Sequence, residues 1–361
     1  MYRIKNCLTK INIQQRLIKS LNSGVVHGKY KYYSLQDKEI KLVNSAFNKL
    51  FRFNSALSLD CFSKEFVINA KCSSGMAIEF ITTSSSINIK ASLIETGYIP
   101  HMSEYAIKGM DVYVKTDNEW RWKGCHCPNT SRTNIVDRCV SINNNKNEVT
   151  VRIFCPLYSI VDGLSIGVEK SAFIRIRTTS PNYRIVVYGS SITQGCAISR
   201  PGKSYTNIIS RYYDADVYNF GYSGSAKGEN EIAAMLSKVP ADLFIMEYDH
   251  NATVGELSTT HKAFFERIYR ENPRLKFIFM SRLSVGQSIS IDEGTRRKCI
   301  IENTYKYAID QGCKALFIDG QKLIIGEMSD YFVDDKHPND EGTRLIADAL
   351  IKAINTIETE A

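Results

Sequence analysis

A serine hydroxyl attacks a carbonyl only when a base within hydrogen-bond reach removes its proton, and the negative charge that develops on the carbonyl oxygen needs N–H donors aimed at it. One stretch offers such a hydroxyl. The apolar run Ile185-Val186-Val187 leads into Tyr188-Gly189-Ser190-Ser191-Ile192-Thr193-Gln194-Gly195, and Pro201-Gly202 then opens a helical pattern. A short β-branched run ending in Gly and small hydroxyl residues reads as a buried strand passing into a turn, the place where open α/β sheets bind ligands. Ser190 and Ser191 point to opposite faces by strand alternation, so one of them faces the site. Taken alone, a Gly-Ser-Ser turn is ordinary loop chemistry.

The base must be one of six histidines: His27, His101, His126, His250, His261 and His337. His337 sits in Val333-Asp334-Asp335-Lys336-His337-Pro338-Asn339, just before the last helical segment. A carboxylate three residues earlier can reach back to Nδ1 and hold the tautomer that a general base requires. Asp335 is the neighbouring alternative to Asp334, and a simple capping turn built on Asn339 or Asp340 is the alternative to the pair. Two further loops supply N–H donors: Asn219-Phe220-Gly221-Tyr222-Ser223-Gly224 and Met246-Glu247-Tyr248-Asp249-His250-Asn251. Gly224 lets the backbone approach a substrate, and Asn251 carries a side-chain amide. Each loop alone is turn chemistry; their order along the chain, with Asp-x-x-His-Pro before the last helix, is what gives them weight.

These residues must be positioned by a scaffold, and the chain divides in two. From about Ser34 to Ser180 apolar and polar residues alternate, as in Ile87, Ile89, Ala91, Leu93 and in Val149, Val151, Ile153, Cys155. Gly109–Val114, a turn at Thr116-Asp117-Asn118, and Trp120-Arg121-Trp122 read as a hairpin, with a further turn at Asn143–Asn147. No segment of helical period is expected there, which makes it an antiparallel β-sandwich. After Pro181 the apolar runs Arg184–Tyr188, Asp216–Phe220, Asp242–Met246, Lys276–Met280 and Ala315–Ile318 alternate with segments of helical length. In the last, Leu345, Ile346, Ala349, Leu350, Ala353 and Ile354 share a face, with Arg344, Asp348 and Lys352 turned away. Five strands and five helices imply a three-layer α/β/α, flavodoxin-like sandwich. The expected division is an N-terminal segment 1–30, a sandwich 31–178 and an α/β domain 179–361.

Gly189-Ser190-Ser191-Ile192-Thr193-Gln194-Gly195, Asn219-Phe220-Gly221-Tyr222-Ser223-Gly224, Tyr248-Asp249-His250-Asn251 and Asp334-Asp335-Lys336-His337-Pro338-Asn339 together resemble the four blocks of the SGNH (GDSL-type) hydrolases. Gly109-Met110-Asp111-Val112-Tyr113, with Tyr158 and Ser199-Arg200-Pro201-Gly202, resembles the bacterial subgroup that has an N-terminal GxDLY-type β-sandwich. The resemblance implies Ser191 as nucleophile, His337 as base and then acid, Asp334 as its orienting partner, and an oxyanion hole of Ser191 N–H, Gly224 N–H and the Asn251 amide. Two departures stand out: Ser190 replaces the usual Asp of the first block, and Asp249-His250-Asn251-Ala252 replaces Gly-x-Asn-Asp. Some related carbohydrate esterases use a Ser-His dyad, which leaves the part played by Asp334 open. The implied activity is hydrolysis of a small acyl ester, acetyl above all, of a carbohydrate or other polar alcohol. A thioesterase or lipase on the same fold and a non-catalytic carbohydrate-binding protein are the alternatives. His250 and Arg282 are candidate substrate contacts; Trp120 and Trp122 fit structural packing better than sugar stacking.

Composition narrows the partners. The net charge of +8, from 46 basic and 38 acidic residues, is scattered, with no basic block of the kind that marks nucleic-acid binding. No run approaches a membrane span. Residues 1–20 lack the apolar core of a secretory signal, so the cytoplasm is the expected compartment, with export by another route left open. The ten cysteines are irregularly spaced and read as mostly reduced thiols. Cys125-His126-Cys127 has no second Cys/His pair at zinc-site spacing, and the chemistry calls for no metal and no organic cofactor.

Overall fold

The computed structural model describes residues 26–128, 133–143, 147–177, 183–284, 288–324 and 326–359. The strands among them are β1 (Val26–His27), β2 (Tyr30–Ser34), β3 (Lys41–Val43), β4 (Ala77–Thr82), β5 (Ser86–Glu95), β6 (Met110–Thr116), β7 (Glu119–His126), β8 (Ile135–Ser141), β9 (Val149–Phe154), β10 (Ser159–Glu169), β11 (Ile174–Arg175), β12 (Arg184–Gly189), β13 (Asp216–Gly221), β14 (Leu243–Glu247), β15 (Lys276–Met280) and β16 (Ala315–Ile318). The first eleven form two antiparallel sheets, ordered β1-β2-β10-β5-β8 and β11-β4-β9-β6-β7, with β3 paired to β4. Their inward residues, among them Ile87, Ile89, Leu93, Val112, Val151 and Ile153, make one continuous core. The β6–β7 hairpin turns at Asp117 and Asn118, both at positive φ (52° and 63°), which two-residue hairpin loops require and Asp and Asn tolerate. Residues 144–146 of the expected turn at Asn143–Asn147 lie outside the described residues.

One expectation for this half is corrected. A helix, Lys64–Lys71, stands between β3 and β4: Ser63 Oγ caps it by accepting the Phe66 N–H, Glu65 lies in its first turn, and Phe66, Asn69 and Ala70 are buried. Those three positions have helical spacing, but a single eight-residue element with one apolar stripe is too short for periodicity alone to separate from the strands around it. A second short helix covers Glu104–Lys108.

The last five strands form a parallel sheet in the order β13-β12-β14-β15-β16. Alternate residues of these strands serve two cores. Ile185, Val187, Leu243, Ile245, Ile278 and Met280 face one helical layer, and Val186, Tyr188, Phe244, Met246, Phe277 and Phe279 face the other. Helices Tyr205–Tyr213, Asn230–Leu236, Val254–Glu271, Ile291–Asp310 and Asp340–Thr359 cover the sheet. The buried face of the last helix centres on Thr343, Ile346, Ala347, Leu350, Ile354 and Ile357, slightly rotated from the expected one; Leu345, Ala349 and Ala353 border it.

The two halves are joined through the Gly-Met-Asp-Val-Tyr segment. Asp111, fully buried, accepts hydrogen bonds from Trp122 Nε1 (2.8 Å), Arg200 Nη1 (2.9 Å) and the Gly202 N–H (2.7 Å). Arg200 also donates to Tyr113 OH (2.5 Å). A Cβ at residue 202 would lie 2.4 Å from the Tyr113 ring, so glycine is what lets the chain of the α/β half approach the strand this closely. Trp122 thus holds the clasp, and Trp120 packs under the Arg152 guanidinium at 4.4 Å.

Candidate active site

Strand register brings three loops to one place. Gly189 at the end of β12 pairs with Gly221 at the end of β13 and with Glu247 at the end of β14, so the segments that follow all leave the C-terminal edge of the sheet side by side. Ser190 caps the short helical turn Ser191–Gln194 by accepting the Ile192 N–H. Ser191 is its first residue, and first-turn N–H groups have no intrahelical partner. The Ser191 hydroxyl lies 2.9 Å from His337 Nε2.

His337 is held from its other side. Its Nδ1 lies 2.7 Å from Asp334 Oδ2, while Asp334 Oδ1 accepts the backbone N–H of His337 (2.7 Å) and of Lys336 (3.0 Å). Since an ionised carboxylate only accepts, Nδ1 carries the proton and Nε2 presents its lone pair to Ser191. Burial alone would raise the Asp334 pKa, but these three hydrogen bonds and the imidazole beside it bring it down to about 2. Burial also lowers the pKa of His337, outweighing the opposing pull of Asp334. The imidazole is therefore neutral at neutral pH. Asn339 follows as cap of the last helix, its Oδ1 accepting the N–H groups of Glu341 and Gly342.

The donor groups converge on the same edge. Gly224 has φ +65°, with nothing within 4 Å of the position a Cβ would take, and among the described residues its N–H has no acceptor. One Asn251 Nδ2 hydrogen is donated to the Tyr222 carbonyl (2.9 Å), which fixes the amide and leaves its second hydrogen free. Of the other sequence-derived candidates, His250 Nε2 accepts the Leu283 N–H (3.2 Å). Arg282 gives Nε to the Ser284 carbonyl (2.8 Å) and Nη2 to Ser288 Oγ (3.2 Å), so it ties down its own loop at the site's edge. Asp249 holds this edge from beneath, accepting the Arg282 N–H (2.8 Å) and pairing with Arg297 (3.2 Å).

Several residues that support the site were not among the candidates read from the sequence. Glu247, fully buried, accepts from Ser190 N–H (3.1 Å), Ser190 Oγ (2.9 Å) and Thr193 Oγ1 (2.6 Å), gripping the turn that presents Ser191 from behind. Burial pushes its pKa up to about 7. This explains Ser190 physically, since an Asp there would set a second carboxylate against Glu247. A Cβ at Gly189 would meet Thr193 Oγ1 at 2.0 Å. Gln194 Oε1 accepts the Ser223 N–H (2.9 Å) and its amide donates to Asn69 Oδ1 (3.2 Å), while Asn69 Nδ2 donates to the Ser223 carbonyl (2.9 Å). The buried Arg52 bonds the carbonyls of Gly221, Asn69 and Cys72. Thus the first half of the chain props up the Gly221–Gly224 loop. A charged residue ending an otherwise apolar strand, as Glu247 does, is the one clue the sequence held.

Residues 182–355 match the GDSL-like lipase/acylhydrolase family, and residues 30–174 match the GxDLY domain, the N-terminus of SGNH-hydrolase-type esterases. No curated protein matches the sequence. Among solved structures, a Bacteroides ovatus protein described as a GDSL-like lipase is 27% identical, with a TM-score of 0.81 over 91% of this chain and 98% of its own. A salicylyl-acyltransferase from a tetracycline biosynthetic pathway is 14% identical (TM-score 0.76, 92% and 99% covered). An acetyl xylan esterase from Butyrivibrio proteoclasticus is 11% identical (TM-score 0.56, 90% and 98% covered). The last two share the fold. With both domains present in this order, the chain belongs to the SGNH (GDSL-type) hydrolases that carry an N-terminal GxDLY domain, and is a carboxylic ester hydrolase.

Proposed function

We propose that the chain is a serine esterase that removes a small acyl group, acetyl above all, from a carbohydrate or similar polar alcohol. The observation that carries the reading is the relay from Ser191 Oγ to His337 Nε2 (2.9 Å) and from His337 Nδ1 to Asp334 Oδ2 (2.7 Å). In the proposed cycle His337 takes the Ser191 proton as Oγ attacks the acyl carbonyl. Ser191 N–H, Gly224 N–H and the free Asn251 amide hydrogen receive the oxyanion. The C–O bond to the alcohol breaks as His337 returns the proton to the departing oxygen, leaving acyl-Ser191. A water molecule, deprotonated by the same imidazole, then adds to the acyl carbonyl, and the acid leaves as the bond to Ser191 Oγ breaks and His337 returns the proton to that oxygen.

A polar alcohol is supported by the surroundings of the base. A cavity of about 440 Å³ beside it is lined by His101, Ser103, Ser199, Asn339, Asp340 and Glu341 together with Ala197 and Ile198, so a substrate there would meet hydrogen-bonding groups beside an apolar surface. The acetyl xylan esterase and the Clostridium thermocellum family two carbohydrate esterase among the structural neighbours support the same direction. A series of p-nitrophenyl esters of rising chain length, followed by acetate release from acetylated sugars, tests it. Acetyl esters should be preferred; a preference rising with chain length would favour the lipase or thioesterase alternative instead.

A further inference from the structure

The acyl-transfer cycle uses neither His101 nor Cys196, yet both close on its base. His101 comes from the β-sandwich half, on the loop before Glu104–Lys108, and Cys196 follows the turn that carries Ser191. His101 Nε2 lies 3.0 Å from Cys196 Sγ. The His101 ring stacks on that of His337, with centroids 5.0 Å apart and planes 17° from parallel. One ligand atom each from His101, Cys196 and His337 lie within 4.8 Å of one another. Cys125-His126-Cys127 forms no such group among the described residues.

Two imidazoles and a thiol are the donor set that Zn²⁺ prefers. Bonds of about 2.0–2.3 Å to a tetrahedral ion put N···N and N···S ligand pairs about 3.3–3.6 Å apart, so a pair at the 4.8 Å limit must close by about 1.2–1.5 Å on binding. Asp334 already accepts the Nδ1 proton of His337, which leaves Nε2 as the metal-binding nitrogen in a carboxylate–histidine–metal arrangement. His101 is partly exposed and lines the cavity that also carries Asp340 and Glu341, so a cation has a path in from solvent.

We propose that His101 Nε2, Cys196 Sγ and His337 Nε2 form a binding site for Zn²⁺ or a similar thiophilic divalent cation, and that its occupation switches the esterase off. On binding, the Cys196 S–H bond breaks, its proton passes to solvent and the sulfur bonds the metal, with no change in oxidation state; water takes the fourth position. The lone pair that would accept the Ser191 proton is then bonded to the ion. Because His101 and Cys196 lie on opposite halves of the chain, the ion also ties the two together at the mouth of the site. Binding stands on the three side chains alone, whereas inhibition rests on the proposed function of His337.

The test uses the full chain, stripped of metal and titrated with Co²⁺ and then Zn²⁺. One equivalent of Co²⁺ should give a near-ultraviolet thiolate charge-transfer band that Zn²⁺ abolishes. Cys196→Ser should lack the band, His101→Gln should weaken binding by about tenfold or more, and Ser191→Ala should keep both. Zn²⁺ should suppress p-nitrophenyl acetate hydrolysis reversibly to chelator, and in both ligand variants, each normalised to its own metal-free rate, the inhibition midpoint should rise by a similar factor. Should the buried Cys196 variant fail to fold, His101→Gln carries the comparison. A cobalt complex without a thiolate band, or a Zn²⁺ midpoint unchanged in the variants, overturns the proposal. Absence of hydrolysis in the metal-free wild type would count against the esterase reading, and the cobalt band would still judge the site.

Discussion

Replacing Asp334 by Asn separates a triad from a dyad, and the structure dictates how. Asp334 Oδ1 accepts two backbone N–H groups, from Lys336 and His337. In Asp334→Asn the amide oxygen must keep that position, which turns the NH₂ toward His337 Nδ1, now 2.7 Å from Oδ2. The imidazole must then present a lone pair at Nδ1 and carry its proton on Nε2, against Ser191, where it cannot act as base. A wrong tautomer of this kind in a serine triad costs about 10⁴-fold in kcat. Because the Asp334 side chain is 31% exposed, some relief by solvent is expected, and we predict a loss of about 10³–10⁴-fold, or about 4–5.5 kcal/mol of transition-state stabilisation. Asp334→Ala behaves differently. Water can enter and accept the Nδ1 proton, so the correct tautomer survives and the loss should be smaller, about 10²–10³-fold. Steady-state hydrolysis of p-nitrophenyl acetate by both variants, with circular dichroism to verify folding, makes the comparison. An Asn variant within threefold of wild type, or one faster than the Ala variant, refutes this reasoning.

Asn251→Ala removes one oxyanion donor, and kcat should fall by about 10²–10³-fold with little change in KM; a change confined to KM would contradict that assignment. Since burial lowers the His337 pKa below its ordinary 6.5, kcat/KM should fall on acidification with a midpoint below 6.5. The midpoint should move lower still in Asp334→Ala, which lacks the hydrogen bond and charge that raise it; a midpoint above 6.5 in the wild type would count against the neutral buried base. Glu247 has its pKa raised from 4.5 to about 7 by burial, so its contribution to stability is fully present below pH 4.5 and is lost as pH rises through about 7. The stability of the wild type relative to Glu247→Gln, measured by denaturant unfolding, should decline across that window by up to about 3 kcal/mol. A difference independent of pH would show that Glu247 does not change charge there.

The hydrolase half was legible because its signals are local. Parallel strands covered on both faces read as apolar runs, and all five runs became strands. Ser191, Gly224, Asn251 and His337 were visible because each loop leaves a strand end or precedes a helix, where the turn residues needed for chemistry interrupt the apolar pattern. What supports them was not legible. Glu247 behind Ser190, Gln194 reaching Ser223, and Arg52 and Asn69 reaching the Gly221–Gly224 loop act across sequence separations that no periodicity records. The helix Lys64–Lys71 was hidden by its brevity. The closeness of His101 to His337 depends on how the two halves pack, through contacts spread along the chain such as Asp111 with Arg200, Ser103 with the Ser199 carbonyl and Arg152 with Asp214, rather than on any one segment.

The central claim is that Ser191 is acylated during turnover. Wild type and Ser191→Ala, mixed with p-nitrophenyl acetate, acid-quenched within the first turnovers and digested for peptide mass spectrometry, test it directly. The account predicts an acetyl group on Ser191 in the wild type, and in the variant neither that adduct nor hydrolysis above about 10⁻³ of the wild-type rate. An acetylated residue other than Ser191, or full hydrolysis by Ser191→Ala, would contradict it.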